Sequence, residues 1–259
     1  MRNLQEIRED ISKCDEEMAR LLAKRMDYIG EVIGCKKANG LPILQPEQEE
    51  RRKALLQEVL KGNAYEEELL EIFDSILTVS KRVQAKALFR YNIALIGFMG
   101  AGKSTVSHYL KDMLAMEEVE TDAMIVKSEG MAITDIFAKY GEPYFRNCES
   151  NAIIELQNCR QMIISCGGGA VMREENVENL KKSSRIVLLT AAPETILERV
   201  KDSTERPILN GNMNVEYIAG LMEKRRAKYE AAADIIIATD GKDVAQICEE
   251  LVRKLSAME

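Results

Sequence analysis

Residues 97–104 read GFMGAGKS, set between the apolar run Ile93–Ile96 and a stretch of helical periodicity. A string of this form in this setting fits one local fold, a buried strand that ends in a glycine-rich turn and hands over to the N-terminus of a helix. The glycines let the backbone wrap until successive N–H groups converge on phosphate oxygens. Gly100, Ala101 and Gly102 form the cradle, Lys103 reaches the β- and γ-phosphates, and the Ser104 hydroxyl, followed by Thr105, is placed to ligate magnesium. A nucleoside triphosphate is the expected ligand.

Composition narrows the rest. At 259 residues and 46% hydrophobic content the chain can build two ordinary domains or one large one. No run approaches the ~18 apolar residues of a membrane span, and the charged start MRNLQEIRED lacks the apolar core of a secretion signal. A soluble, cytoplasmic protein with no membrane partner is expected. The net charge of −7 gives no basic footprint for nucleic acid. Six cysteines are scattered without C-x-x-C spacing and read as reduced thiols rather than disulfides or zinc ligands. The single histidine, His108, reads as a helix-surface residue.

Two parts of the chain follow different periods. From Leu4 to about Leu88 the pattern is helical throughout, broken only at Asn39–Pro46 and Gly62–Asn63, which gives three helices. The first carries an apolar stripe of Leu4, Ile7, Ile11, Met18, Leu21, Leu22, Met26, Ile29 and Ile33. Two shorter helices cannot cover a stripe of that length in a monomer, so a homodimer through this domain is expected. After Arg90 the apolar runs Ile93–Ile96, Met162–Ser165, Ile186–Leu189 and Ile235–Ala238 alternate with helices, the pattern of a parallel sheet with helices on both faces. Residues 1–90 are therefore expected to form an all-α three-helix domain, and residues 91–259 an α/β P-loop domain.

Phosphoryl transfer needs more than the loop: a carboxylate near the metal, an acceptor pocket and a cationic segment that closes over the transferred group. Glu120 and Asp122, in VETD, read as neighbours on one side of a short extended segment, Glu120 toward magnesium and Asp122 toward an acceptor hydroxyl. Arg146 and Glu149 stand one helical turn apart, so the acid can orient a guanidinium aimed at a substrate carboxylate. Gly167–Gly169 follows a strand's carboxyl end, where ligands bind in open α/β sheets. Arg206 lies in the polar stretch Lys201–Asn214, suited to a closing lid, and Arg225 stands four residues before Tyr229.

GFMGAGKST, ETD, IFAKYGEPYFRNCE, GGGAV, ERPIL and RRAKYE occur in an order and spacing by which Asn92–Leu255 resembles shikimate kinase, a nucleoside-monophosphate-kinase-like P-loop enzyme. The resemblance implies ATP- and Mg2+-dependent phosphorylation of the shikimate 3-hydroxyl, with Lys103 and Ser104 on ATP and magnesium. It implies that Asp122, Arg146, Gly168, Gly169 and Arg225 line the shikimate pocket, that Arg206 approaches the transferred phosphate, and that Arg199 stacks on adenine. Phe137 and Phe145 match its apolar walls. Two positions depart from the family pattern: Glu120 stands where aspartate is usual, and Ala238 where some relatives carry arginine.

In the helical part, Arg8, Arg25 and Lys36 lie at or near the apolar stripe, where cations want anionic partners that a dicarboxylate ligand would supply. LQEIREDISKCDEEMARLLAKRMDYIGEVIGCKK and GLPILQPEQEE resemble chorismate mutase of the all-helical class, an intertwined dimer, over residues 3–88. That likeness implies cofactor-free rearrangement of chorismate to prephenate, with Arg25, Lys36, Glu49, Ser80 and Gln84 in the site and Arg8 reaching the partner's. Gln45 and Gln48 depart from the pattern, at positions commonly aspartate and arginine. The chain thus reads as a bifunctional enzyme of aromatic biosynthesis. The competing reading keeps an active kinase and makes the helical domain a non-catalytic dimerising or sensor module.

Overall fold

The computed structural model describes residues 2–39, 46–201 and 214–258, and of residues 37, 39, 46, 47 and 49 the backbone only. The expectations for Gln45, Arg206 and the lid lie outside the described residues, as does the Glu49 side chain. The chain divides into two compact units, Met1–Ala87 and Leu88–Glu259.

The first unit contains three helices, α1 (Leu4–Asn39), α2 (Pro46–Leu60) and α3 (Glu66–Leu88). Local chemistry sets their starts. Pro46 opens α2 with a pre-set φ and no N–H to satisfy, and Glu66, Glu67 and Glu68 meet the positive end of α3. Uninterrupted for 36 residues, α1 is about 54 Å long at ~1.5 Å per residue. Its C-terminal half turns Arg25, Met26, Ile29, Ile33 and Lys36 inward. Toward its N-terminus the stripe is bare: Leu4, Ile11, Met18 and Leu21 are each more than half exposed.

The second unit is a five-stranded sheet in the order β2-β3-β1-β4-β5, parallel at every pairing. The strands are β1 (Asn92–Ile96), β2 (Glu117–Glu120), β3 (Met162–Ser165), β4 (Ser184–Thr190) and β5 (Ile235–Ala238). Helices α4 (Lys103–Leu114), α5 (Thr121–Glu129), α6 (Ile133–Leu156), α7 (Glu174–Lys181), α8 (Pro193–Val200), α9 (Val215–Ala232) and α10 (Val244–Ser256) complete it, with a 3₁₀ turn at Ala170–Met172. Central β1 is buried at every residue, and Ala94, Ile96, Ile164, Ile186 and Leu188 share a core with Ile153, Leu156 and Tyr229 from the helices. From β1 the chain crosses to one side of the sheet, and from β3 to the other. The carboxyl ends of β1 and β3 therefore flank the crevice where open α/β sheets bind ligands.

All four apolar runs are strands. β2 escapes that criterion because an edge strand buries less, and EEVE is half-exposed. One expectation needs correction: Glu120 is the last residue of β2, whereas Asp122 already belongs to the first turn of α5, so the two do not share a strand face. Their common direction comes from the strand-to-helix turn instead. Helix α6 bends at Gly141, whose φ of +79° breaks the helical path just before Pro143.

Candidate functional site

The loop after β1 turns at Gly97, whose backbone presses so closely on the Leu189 carbonyl that a β-carbon would collide with it. Gly102 then caps α4, and the first helical residues are Lys103, Ser104 and Thr105. The free N–H groups at this end of α4 point into a cavity of about 1030 Å³. Lys103 Nζ donates to the carbonyls of Gly97 (2.9 Å) and Phe98 (3.1 Å), which keeps the ammonium over the loop. Arg199 of α8 closes the far side, donating to the Gly100 carbonyl (3.2 Å) and to Thr239 Oγ1 (3.1 Å) beyond β5. Ala101 is buried under the loop and lies off the cavity wall, so its part is confined to backbone.

Glu120 and Asp122 stand on the wall of the same cavity as Ser104. One hydroxyl and two carboxylates are hard oxygen donors of the kind that hold magnesium carried on substrate phosphates. No group of three or more His, Cys, Asp or Glu that would cage an ion without a nucleotide occurs among the described residues. The residues thus fit a nucleotide-borne metal.

The other end of the cavity is built around Arg146. Its Nη1 donates to Glu149 (2.5 Å), and its Nη2 and Nε donate to Glu142 (2.8 and 3.1 Å), which fixes the guanidinium plane from two sides. Burial works against the Arg146 charge, but the two carboxylates outweigh it and hold its pKa above the ordinary value. Glu149, 1% exposed, is pushed up from 4.5 by burial, with Arg146 opposing and the charge of Asp122 adding to the rise. Gly167–Gly169 packs directly on this group. A β-carbon on Gly167 would fall 2.5 Å from Asp122 Oδ1, and one on Gly169 2.6 Å from Arg146 Cζ. The glycine loop is pinned from below, where Gly167 N donates to Thr121 Oγ1 (2.9 Å) and the Tyr229 hydroxyl to the Gly168 carbonyl. Arg225 stands beside Tyr229, where its charge opposes the rise that burial gives the phenol, and its guanidinium lies 5.8 Å from the Phe98 ring centroid.

One cavity therefore gathers Gly100, Gly102, Lys103, Ser104, Thr105, Glu120, Asp122, Arg146, Gly168, Gly169, Arg199 and Arg225 from positions spread over the unit. Phe137 and Phe145 supply its apolar wall, their rings 4.8 Å apart. Sequence reasoning gave no part to Thr121, Glu142 or Tyr229. Glu142 was legible four residues before Arg146 as an i,i+4 pair, whereas the bond of Tyr229 to Gly168 spans 61 residues and leaves no local trace. Cys166, buried beneath the loops, is pushed up to about 12 and stays a thiol. His108, as expected, is on the surface, 69% exposed beside Glu118, and all six cysteines are free.

In the helical unit Arg25 Nη1 of α1 donates to Ser80 Oγ of α3 (2.5 Å), and Gln84 Nε2, one turn on, bonds the Ser80 carbonyl (3.4 Å). The Oε1 of Gln84 is buried without a partner. Arg25 is held below its ordinary pKa by burial first and then by the charge of Arg52 on α2. Lys36 continues the inward row of Arg25 three turns later and is half-buried. Arg8 is not gathered with them: it is exposed, and 17 residues of continuous helix put it about 25 Å from Arg25.

A parallel sheet with this loop, hard-oxygen donors beside it and a cation-walled recess opposite makes the second unit a P-loop phosphotransferase. The profile of the shikimate kinase family matches residues 99–256, and that of chorismate mutase type II residues 7–85. The shikimate kinase of Dehalococcoides mccartyi is 44% identical over 170 residues, 65% of this chain and 95% of that protein. That of Moorella thermoacetica is 41% identical over 166 residues, 64% of this chain and 95% of that protein. Among solved structures, shikimate kinase from Acinetobacter baumannii, in complex with shikimate, superposes with a TM-score of 0.64 at 30% identity, over 68% of this chain and 98% of that one. The Bacteroides thetaiotaomicron enzyme gives 0.58 at 28% identity, over 65% and 97%. The chain belongs to the shikimate kinase family and carries a chorismate mutase domain ahead of the kinase. It is a bifunctional enzyme of aromatic biosynthesis.

Proposed function

We propose that the kinase half, residues 91–259, transfers the γ-phosphoryl group of ATP to the 3-hydroxyl of shikimate at the cavity described above. The observation that carries this is the grouping of Lys103, Ser104, Asp122 and Arg146 in one cavity. Arg146, locked between Glu142 and Glu149, presents its outer edge to the shikimate carboxylate, with Arg225 as a second cation. That places the hydroxyl toward Asp122, which accepts its hydrogen bond and directs the oxygen lone pair at the phosphorus. Lys103 and the loop N–H groups take the phosphate charge, and Arg199 packs on adenine. Ser104 and Glu120 would hold magnesium, which when bound neutralises phosphate charge. Arg206 would approach the transferred phosphate.

The helical half, residues 1–90, rearranges chorismate to prephenate as a homodimer. Chorismate loses no atom and gains none, so the protein needs only to hold the compact conformer and stabilise negative charge on the departing ether oxygen. Arg25, Lys36, Glu49, Ser80 and Gln84 form the site in one protomer, and Arg8 crosses to the other. Two facts support the dimer: the bare apolar row from Leu4 to Leu21, and the separation of Arg8 from Arg25, which one chain cannot bridge. The enzyme works in the cytoplasm. No helix among the described residues is long and apolar enough to cross a membrane, and free thiols fit a reducing compartment.

The test is paired. The wild type is expected to phosphorylate shikimate in preference to other hydroxy acids, to consume chorismate, and to sediment at twice 29.2 kDa. Lys103→Ala is expected to abolish kinase turnover and leave mutase rate within a few fold, and Arg25→Ala the reverse. A dimer that phosphorylates shikimate but leaves chorismate untouched would make the helical half an assembly or sensing module.

A further inference from the structure

The α2 helix carries a cation that the motif residues do not include. Among the α2 residues whose side chains are described, the two half-buried ones, Leu56 and Leu60, lie four apart and mark the side of α2 turned toward the rest of the helical unit. Extended backward by the same step, that row passes through Arg52 and then Gln48. Arg52 is thus aligned with the inward side while its head group is exposed at the rim. It is also close enough to Arg25 for the two charges to repel.

Nothing among the described residues accounts for two guanidinium groups held near one another. Arg25 bonds the neutral Ser80 hydroxyl, and no carboxylate among the described residues lies within ion-pair distance of either arginine. The buried Gln84 Oε1, one turn from Ser80, has no partner either. A pair of cations with no counter-ion among the described residues, beside an unsatisfied buried amide, is arranged for a ligand that brings its own negative charge and a hydroxyl donor. Chorismate, with two carboxylates and one hydroxyl, has that chemistry. Gln48, the next residue on the row toward the start of α2, can offer a hydrogen bond but no charge.

We propose that Arg52 is a substrate-binding residue of the mutase, the second guanidinium on a chorismate carboxylate, supplying from one helical turn further along α2 the charge that Gln48 lacks. This rests on the mutase reading above. Because Arg52 is at the rim, its contact is formed alike in the bound ground state and in the transition state, so its loss appears in KM rather than kcat.

The experiment uses the full-length dimer and follows chorismate loss. Arg52→Ala is expected to raise KM for chorismate by roughly 5- to 30-fold, the range of a charge-assisted contact discounted for exposure, with kcat within about twofold. Arg52→Lys is expected to lie between it and wild type. Adding Gln48→Arg to Arg52→Ala is expected to recover most of the loss, which a purely structural role for Arg52 would not allow. Sedimentation as a dimer and an unchanged helical circular-dichroism signal report that the helical unit is folded, which kinase turnover in the other unit does not. Arg52→Ala with an unchanged KM, a fall in kcat alone, or no recovery in the double variant overturns the assignment. A wild-type chain that leaves chorismate untouched overturns the mutase reading itself, and this assignment with it.

Discussion

Gly169→Ala separates the geometry of the kinase pocket from its stability. Gly169 has φ −107° and ψ −6°, a conformation alanine adopts freely, so the substitution brings no backbone strain. Its β-carbon would sit 2.6 Å from Arg146 Cζ and 2.8 Å from Nη2, against ~3.5–4.0 Å for ordinary contact. Nη1 is nearer still, so the guanidinium must retreat by roughly 1–1.5 Å. It is the far end of a flexible side chain, so the fold gives way cheaply, but the retreat pulls Nη1 off Glu149 and turns the fork away from the acceptor. A charge-assisted contact is worth about 1.5–3 kcal/mol, and a misplacement of this size costs up to ~100-fold in rate. KM for shikimate is therefore expected to rise roughly 10- to 100-fold, with KM for ATP and chorismate turnover within about twofold. The assay is ADP release against shikimate at saturating ATP, with prephenate formation as the internal control. A shikimate KM within twofold of wild type would refute the claim that Arg146 is held by contact with this glycine.

Glu149 should give the kinase an acid limb. Its pKa is raised above 4.5 by burial, so shikimate phosphorylation is expected to fall as pH drops through that raised value and Arg146 loses its anchor. In Glu149→Gln the limb should vanish and the shikimate KM rise. The linkage has the opposite sign for stability: what Glu149 contributes is complete below 4.5 and lost as pH rises through the folded-state value, so Glu149→Gln should hold or raise the melting temperature at pH 7. An acid limb that persists in the variant would assign it elsewhere. Tyr229→Phe leaves the Gly168 carbonyl without its donor in a buried setting, at about 1–3 kcal/mol, read as a fall of roughly 2–10 °C in kinase-unit melting by calorimetry. An unchanged melting temperature would mean that the carbonyl finds another donor.

How much of this was legible depended on the range of the interaction. Gly97–Ser104, the apolar runs and the Arg146–Glu149 turn are local, and the chain announces them. β2 did not announce itself as a buried run, because an edge strand with three glutamates buries too little to need one. The same missing strand end hid that Asp122 opens a helix, so a correct pairing with Glu120 rested on the wrong period. Tyr229 and Thr121 act through contacts 61 and 46 residues away, which no spacing rule reaches. Arg52 is an intermediate case: its place on the α2 row is periodic, but its nearness to Arg25 depends on how the helices pack.

The two units treat their cations in opposite ways, and this yields a further test. Arg146 is neutralised by two carboxylates of the protein, and its side chain is 13% exposed, so it acts as a rigid fork whose charge is already screened at short range. Among the described residues no carboxylate pairs with Arg25 or Arg52, and Arg52 is open to solvent. Such charges attract an anion over a distance set by ionic strength, about 10 Å at 0.1 M and 3 Å at 1 M. Raising salt from roughly 0.05 to 0.5 M is therefore expected to raise the mutase KM several-fold while the shikimate KM, at saturating ATP, changes by less than about twofold. Arg52→Ala should flatten the mutase response, because the exposed half of the pair is the half that salt reaches. Equal salt dependence of the two KM values would mean that the mutase cations are compensated within the dimer, and that the bare pair belongs to the isolated protomer.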